Sequence, residues 1–128
     1  MDSWYLTGLC EGCASFTYSR SGTQVSLYFA LSLPLEDLGL LEEIQRFLDG
    51  TGRIYEANRR ACFRVTHRDE LPRIVSHFDS YPLRTRKRDS YEIWREMVQI
   101  KQQFRRPDRQ ALSELAIRLS NRQGHSER

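Results

Sequence analysis

The chain has 128 residues, of which 39% are hydrophobic and 29% are charged, a balance typical of one globular domain. No apolar run approaches the roughly 18 residues of a membrane-spanning helix, and the acidic start at Asp2 differs from the basic start of a signal peptide. We therefore expect an intracellular protein, in the cytoplasm, a nucleoid or an organelle, with no membrane partner. Residues 1–57 hold three Lys or Arg against eight Asp or Glu, whereas residues 58–128 hold seventeen against nine. Because most of the seventeen are arginines, which fork onto phosphates and guanine, the asymmetry favours a nucleic-acid partner.

The chain begins with a predicted helix over residues 3–13, in which apolar residues recur at helical spacing after an N-cap at Asp2 or Ser3. Residues 15–20 and 23–33 then alternate between polar and apolar residues, with Ser-Gly as the turn between them. This alternation predicts a β-hairpin with one buried face.

The remaining elements follow Pro34, which we expect to end the hairpin. Helical spacing of apolar residues predicts further helices, and β-prone runs predict a second hairpin with a basic tip at residues 58–60. The predicted ranges are a helix at 38–48, strands at 52–57 and 61–66, and helices at 67–78, 85–104 and about 108–121. Arg105-Arg106-Pro107 closes the fourth helix, and Asp108 is the predicted N-cap of the last. The sequence thus predicts an α+β fold of order αββαββα, with a four-stranded antiparallel sheet backed by helices, as a single domain over residues 1–121 and a polar tail at 122–128.

The three cysteines are interpreted as structural thiols. Cys10 and Cys13 form a CxxC, a spacing used by zinc and redox sites. A second close pair of ligands is missing, because Cys62 stands alone and His67 and His77 are far apart in the sequence. We therefore expect small buried thiols in a reducing compartment.

The first helix carries a recognisable signature. Residues 6–14 read Leu-Thr-Gly-Leu-Cys-Glu-Gly-Cys-Ala, and Ser15-Phe16 follows. Gly8 and Gly12 are four residues apart and lie on one helix face, where the absence of side chains lets another backbone approach. The spacing therefore predicts a helix–helix contact. The stretch resembles the nine-residue LAGLIDADG signature of homing endonucleases, together with the Ser-Phe that often follows it.

A second stretch supports the same resemblance. Residues 77–88 read HFDSYPLRTRKR, which resembles the family's Tyr-Pro-Leu segment with basic residues and a helix after it. The resemblance covers roughly residues 4–104. Members with a single signature are homodimers whose signature helices pack at a two-fold axis. The resemblance therefore implies a homodimer that reads a pseudo-palindromic DNA site, with Leu6, Gly8, Leu9 and Gly12 at the dimer interface.

The family fold also implies which residues contact DNA. The sheet face away from the helices would enter the major groove of double-stranded DNA, and strand parity gives its candidates as Ser15, Thr17, Ser19, Gln24, Ser26, Tyr28, Arg53, Tyr55, Arg64 and Thr66. Among these, Arg64 suits guanine and Gln24 suits adenine. Arg59 and Arg60 suit phosphates, and the family's basic segment adds Arg84, Lys87 and Arg88 as DNA contacts. An ordinary solvated sheet face is the alternative.

The expected cleavage site departs from the family. Members cleave DNA with divalent metal held between the two signature helices, and the essential acid is the eighth signature position. Cys13 occupies that position here, and a thiol is a poor ligand for Mg²⁺. Glu11 is a weak metal-ligand candidate. It lies two residues before Cys13, which on a helix is a rotation of about 200°, so its side chain should point away from the direction of Cys13. Arg86 lies near the position at which the family has a catalytic lysine. Because an arginine is permanently charged, it is a poor proton shuttle. Ala14 and Leu33 also replace a glycine and a glutamine of the family.

The sequence therefore predicts a site-specific double-stranded DNA-binding protein of the LAGLIDADG homing endonuclease family, with weak or absent cleavage. Mg²⁺ is its expected cofactor only if cleavage survives. One alternative is an active, intron-encoded, Mg²⁺-dependent nuclease. Another is an RNA-binding intron maturase, and a further one is a protein whose dimer is purely structural.

Overall fold

A computed structural model describes residues 1–103 and 109–123 of the chain. Within these ranges the elements are, in order, α1 (Ser3–Cys13), β1 (Ala14–Ser21), β2 (Gln24–Pro34), a 3-10 turn (Leu35–Asp37), α2 (Leu38–Phe47), β3 (Arg53–Ala57), β4 (Arg60–Val65), α3 (Leu71–Ser80), α4 (Lys87–Gln103) and α5 (Arg109–Gln123). The predicted α+β class and the αββαββα order are confirmed. None of the described helices is both long enough and apolar enough to cross a membrane.

The four strands form one antiparallel sheet in the order β1-β2-β4-β3, which makes β2 and β4 the central strands. One row of paired residues crosses the sheet from Ser15 through Ala30 and Arg64 to Arg53. Because side chains alternate along a strand, these four residues point to the same face. The register therefore sets which residues share each surface of the sheet.

The other sheet face is buried against the helices, as the alternation in β2 predicts. Its strand residues pack with apolar residues of every helix, and the buried strand members are Ala14, Phe16, Val25, Leu27, Phe29, Leu31, Leu33, Ala61, Phe63 and Val65. Phe16 is central, since its ring centroid lies 5.1 Å from that of Phe78 and 5.4 Å from that of Trp94. Trp94 Nε1 also donates to the carbonyl oxygen of Thr17 at 3.0 Å, which fixes α4 to β1.

Helix α1 begins at the predicted cap. The Asp2 carboxylate accepts hydrogen bonds from the backbone N–H groups of Trp4 at 2.7 Å and Tyr5 at 3.2 Å, which satisfies donors that the first turn leaves unpaired. One side of the helix is buried through Leu6, Thr7 and Cys10, which are the first, second and fifth residues of the signature. The opposite side of α1 faces outward.

The connection from α2 into β3 requires a glycine. Gly52 has a φ of 80°, in the left-handed region that side chains disfavour. A Cβ atom there would lie 2.7 Å from Cε1 of Phe63 and 2.9 Å from Cγ2 of Val65. The chain can therefore pass this close to β4 only without a side chain.

Several element boundaries differ from the prediction. Helix α3 begins at Leu71 rather than residue 67, because Pro72 lacks an N–H and is tolerated only in the first turn of a helix. Residues 67–70 form a separate turn, in which the carbonyl of His67 accepts from Glu70 N at 2.9 Å. Helix α5 runs to Gln123, two residues beyond the predicted end. The predicted closure at Arg105-Arg106-Pro107, the N-cap at Asp108 and the end of the tail at 124–128 lie outside the described residues.

Candidate nucleic-acid interface

The sheet face away from the helices is polar and carries no acidic side chain. We call it the open face and define it by the outward residues of the four strands, namely Ser15, Thr17, Ser19, Ser21, Gln24, Ser26, Tyr28, Ala30, Ser32, Pro34, Arg53, Tyr55, Ala57, Arg60, Cys62 and Arg64. All of them are exposed or half-buried. Three are arginines, in a chain that has 17 acidic residues elsewhere. The face therefore presents positive charge and hydrogen-bonding groups without competing carboxylates.

The predicted sheet residues lie on the open face, with one qualification. Thr66 is exposed but follows Val65, the last residue of β4, so it lies at the end of the face rather than in the sheet. The sequence prediction left out Ala30, Ser32, Ala57 and Cys62, although the same alternation would have included them, and also Ser21 and Pro34, which lie just beyond the predicted strand ends. For all of these residues, whether predicted from the sequence or added by the structure, contact with DNA stays a prediction.

The centre of the open face is a cluster of two arginines and two tyrosines. The guanidinium carbon of Arg64 lies 4.2 Å from the ring centroid of Tyr28 and 6.0 Å from that of Tyr55. The guanidinium carbon of Arg53 lies 5.9 Å from the Tyr55 ring. Such cation–π contacts hold a long side chain over a defined part of the sheet.

The basic tip of the second hairpin is a two-residue turn at Asn58 and Arg59. Both residues have positive φ, 53° and 62°, as a type I′ turn requires. Arg59 is exposed there, as expected for a phosphate contact. Arg60 begins β4, and its Nε donates to Ser32 Oγ at 2.7 Å, so this guanidinium is already oriented by the neighbouring strand.

The outward side of α1 forms a second surface, the signature stripe, made of Tyr5, Gly8, Leu9 and Gly12. These residues recur at helical spacing, and Tyr5 is 51% exposed. A Cβ atom built on Gly8 or Gly12 would meet nothing within 4 Å, so this chain's own packing gives no reason for either glycine. The prediction for Leu6 is wrong, because its side chain is 1% exposed inside the chain's own core and cannot line a surface.

Glu11 is used as a structural acceptor. Its carboxylate accepts from Arg84 N at 2.6 Å, from Thr85 Oγ1 at 2.6 Å and from Thr85 N at 3.3 Å. Partial burial alone would raise the pKa of the Glu11 carboxyl, but these hydrogen bonds and the nearby charge of Lys87 outweigh it and hold the pKa below its ordinary value. Glu11 therefore ties the end of α1 to the turn that precedes α4.

Lys87 is the cation beside the end of α1. Its ammonium is half-buried and donates to the carbonyl oxygen of Ala14. Burial lowers the pKa of Lys87, although the neighbouring Cys10, Cys13 and Glu11 partly oppose that shift. Arg86, predicted for the lysine's role, is exposed. The structure thus places Lys87 rather than Arg86 against the end of α1, and the role predicted for Arg86 stays a prediction.

The end of α1 does not fit Mg²⁺ within this chain. Cys13 is an exposed free thiol, and both Glu11 oxygens already accept hydrogen bonds. Residues 1–103 and 109–123 contain no group of three or more His, Cys, Asp or Glu side chains placed to hold a metal ion. Magnesium binds hard oxygen ligands, and a thiol with no adjacent free carboxylate does not supply them.

The other predicted basic residues lie on the surface near α4. Arg84 and Arg88 are both exposed, and Arg88 Nε lies 3.5 Å from Glu92 Oε2, one helical turn away. The expectation that all three cysteines are buried is wrong for Cys13, which is exposed, and for Cys62, which is half-buried on the open face. Only Cys10 is buried, and burial raises the pKa of its thiol.

Comparison with known sequences gives a consistent set of relatives. A sequence model described as LAGLIDADG endonuclease matches residues 6–98. The "Probable intron-encoded endonuclease 3" of Neurospora crassa is 28% identical over 109 residues, which are 78% of this chain and 20% of the relative. The "Uncharacterized 50.9 kDa protein in ND4 intron 1" of Podospora anserina is 34% identical over 108 residues, which are 77% of this chain and 24% of the relative.

A solved structure agrees with these sequences. The crystal structure of the LAGLIDADG meganuclease I-AabMI bound to uncleaved DNA superposes with a TM-score of 0.84 at 27% identity, over 91% of this chain and 44% of that one. The chain thus spans less than half the length of each of these three proteins. Since the family match covers most of the sequence, including both stretches that carry the resemblance, the chain belongs to the LAGLIDADG endonuclease family.

Proposed function

We propose that this chain is a DNA-binding unit of the LAGLIDADG type that recognises a site in duplex DNA and has lost most or all of its own cleavage capacity. The observation that carries the proposal is the open face, which has three arginines and no carboxylate among its outward residues. A surface of that charge attracts phosphates, and its Arg, Gln, Ser and Tyr side chains supply donors and acceptors for base edges.

The relatives support this assignment and an intron-encoded origin. One is named as a probable intron-encoded endonuclease, and I-AabMI is described as bound to DNA. The exposed positive residues around the face, Arg59 at the hairpin tip and Arg84 and Arg88 near α4, are proposed to contact phosphates. In this arrangement, the arginines around the open face position the protein on the DNA, and the residues at its centre recognise the base sequence.

We propose that the signature stripe packs against the same stripe of a second copy. Its glycines leave open space at their Cβ positions, and the aromatic ring of Tyr5 is exposed beside them. Close helix approach uses such small residues, and a two-fold axis would make the contact self-complementary. Since the chain matches 44% of I-AabMI, a second LAGLIDADG-type unit in the same polypeptide is the other partner that this stripe fits.

The residues at the end of α1 support the proposed loss of cleavage. Cys13 replaces the acid that the family signature places there, and Glu11 is occupied by the turn before α4. An active Mg²⁺-dependent endonuclease is the second candidate, favoured by the half-buried Lys87 ammonium at the same place. An RNA-binding role would use the same positive surface and is distinguished by competition.

The experiment has two stages. Bound sites are selected from a random duplex library, and the winning duplex is then tested against structured RNA at matched salt. We expect the selection to return one defined duplex site. RNA of equal length, at equal concentration, should fail to displace that duplex from the protein. Equal competition by RNA would contradict the assignment to duplex DNA.

The second stage tests cleavage on the selected site at protein concentrations that saturate binding. We expect no cleavage by the wild-type chain with Mg²⁺, a gain of cleavage in Cys13→Asp, and no gain in the matched control Cys13→Asn, which has the same shape without the charge. Cleavage by the wild-type chain would overturn the proposed loss of activity while leaving DNA recognition intact.

A further inference from the structure

The cluster at the centre of the open face holds positive charge that no acidic side chain of the described residues neutralises. Arg64 and Arg53 are directly paired across β4 and β3, and like charges in that position repel. Among residues 1–103 and 109–123, neither arginine has a carboxylate within ion-pair distance. The arrangement therefore costs free energy unless a further group compensates it.

Arg64 also carries an unused donor. Its Nε is buried, yet it has no hydrogen-bond partner among the described residues. A buried donor without an acceptor is destabilising, and such atoms are few in native proteins. The ring of Tyr28 holds the guanidinium 4.2 Å from its centroid, so the group is kept in place rather than free to turn into solvent.

The position of the Arg64 guanidinium on the sheet limits which part of a bound DNA it could contact. Ala30, the residue paired with Arg64 on β2, has a short side chain that leaves room above the sheet beside the guanidinium. Arg64 lies on a central strand, whereas Arg59 and Arg60 lie at the hairpin tip. In a groove-bound sheet, the rim faces phosphates and the centre faces base edges. A planar fork at the centre matches the adjacent O6 and N7 acceptors of guanine.

We propose that Arg64, held in place by Tyr28 and Tyr55, reads a guanine in the major groove of the bound site, an assignment that rests on the proposed duplex-DNA function. The O6 and N7 atoms of the purine would accept from the terminal nitrogens of the guanidinium, because Nε is buried and cannot reach the base. Arg64 is thereby a residue that determines the recognised sequence, and Tyr28 is a positioning residue that fixes the plane of its fork.

The test compares base preference in the wild-type chain and in Arg64 variants. Site selection with the wild-type chain is expected to return an invariant guanine at one position of the site. Replacing that guanine by 7-deazaguanine, which lacks the N7 acceptor, is expected to weaken wild-type binding by roughly 10-fold. The same replacement is expected to leave binding by Arg64→Ala unchanged, since the contact is already lost.

A charge-preserving variant separates base reading from phosphate binding. Arg64→Lys keeps the charge but has no planar fork, so it is expected to lose the guanine preference while the salt dependence of binding stays the same. Arg46→Ala is the matched control, because it removes an exposed arginine from α2, on the helical side of the sheet. It is expected to retain the wild-type guanine preference.

Two outcomes would overturn the inference, and they are distinguishable. If the wild-type chain selects a duplex site, but Arg64→Lys selects the same site and Arg64→Ala weakens all sequences equally, Arg64 binds a phosphate and the proposed function still stands. If the wild-type chain selects no duplex site, the proposed function fails and the guanine assignment fails with it. Thermal unfolding of each variant establishes that the compared proteins are folded.

Discussion

A buried polar contact joins the signature helix to α3. His77 is 3% exposed, and its Nε2 lies 3.0 Å from the hydroxyl oxygen of Thr7. The Thr7 hydroxyl donates its one hydrogen to the carbonyl of Tyr81 at 2.8 Å, so its oxygen accepts from Nε2–H of His77. Burial, reinforced by the charge of Arg73, lowers the pKa of His77 to about 4 from 6.5. The folded chain therefore holds this ring neutral.

That lowered pKa predicts acid sensitivity of the fold. In the unfolded chain the imidazole takes up a proton as the pH falls through 6.5, whereas the folded chain resists until about pH 4. The unfolded state thus binds more protons between those values, and stability falls as the pH drops through this window. The full loss is about 3 kcal/mol, and denaturant midpoints followed by circular dichroism from pH 8 to pH 4 measure it.

The control variants isolate the ring responsible. His77→Gln keeps a polar side chain without titration, so its stability is expected to depend less steeply on pH in that window. His67→Gln is the matched control, because His67 is exposed in the turn before α3. An unchanged pH slope in His77→Gln would show that other groups, such as the hydrogen-bonded Glu11, dominate acid unfolding.

At the scale of elements, the β3–β4 turn places charge at the expense of stability. Arg59 adopts a φ of 62°, which a glycine tolerates and an arginine disfavours. Arg59→Gly is expected to raise the free energy of unfolding by roughly 1 kcal/mol, because Asn-Gly is the preferred type I′ pair. The same change is expected to weaken DNA binding and lower the salt slope by about one. Urea unfolding and fluorescence anisotropy across salt concentrations measure the two effects.

The neighbouring residue supplies the comparison for this turn. Arg60→Gly removes a charge from the extended strand β4, where glycine loses more conformational freedom than other residues, so it is expected to destabilise the fold. Opposite stability effects at adjacent positions would establish that backbone conformation at Arg59 is the cause. A loss of stability in Arg59→Gly would instead mean that its side chain contributes contacts that outweigh the strain.

The sequence predicted these elements where local pattern decides them. Alternation identified the first hairpin and its buried face, because one residue of slip would turn Val25 and Phe29 outward, and β-prone runs identified the second hairpin. The role of Glu11 was not predictable in the same way, since its partner Thr85 is 74 residues away. The contact of Lys87 with Ala14 was not predictable for a related reason, because the rotation of α4 against α1 is set by tertiary packing.

At the scale of the molecule, acids are kept off the open face, although exposed arginines such as Arg46 and Arg88 also lie on the helices. The open face has arginines and no acids, whereas the exposed acids Glu36, Asp37, Glu42 and Glu43 lie on the 3-10 turn and α2, behind the sheet. Such a distribution orients an approaching polyanion toward the open face.

The second molecular surface is the signature stripe, and it predicts the behaviour of its glycines. A methyl group at Gly8 or Gly12 meets nothing within 4 Å in one chain. Gly8→Ala and Gly12→Ala are therefore each expected to raise the stability of the isolated chain by up to about 1 kcal/mol, the usual gain of alanine over glycine in a helix. If the stripes of two copies pack together, the same methyl groups hold the helices apart and weaken self-association.

Gly39 provides a matched control for these two opposite effects, higher stability of the single chain and weaker self-association. It lies in α2 and is likewise exposed with nothing within 4 Å of an added Cβ, so Gly39→Ala is expected to stabilise the chain without changing association. Sedimentation equilibrium measures the dissociation constant, and urea unfolding at concentrations below that constant measures the stability of the single chain. Weaker association in the α1 variants alone would locate the contact at the stripe, because all three substitutions add the same group to a helix. Equal dissociation constants for all three would mean that the stripe does not join two copies.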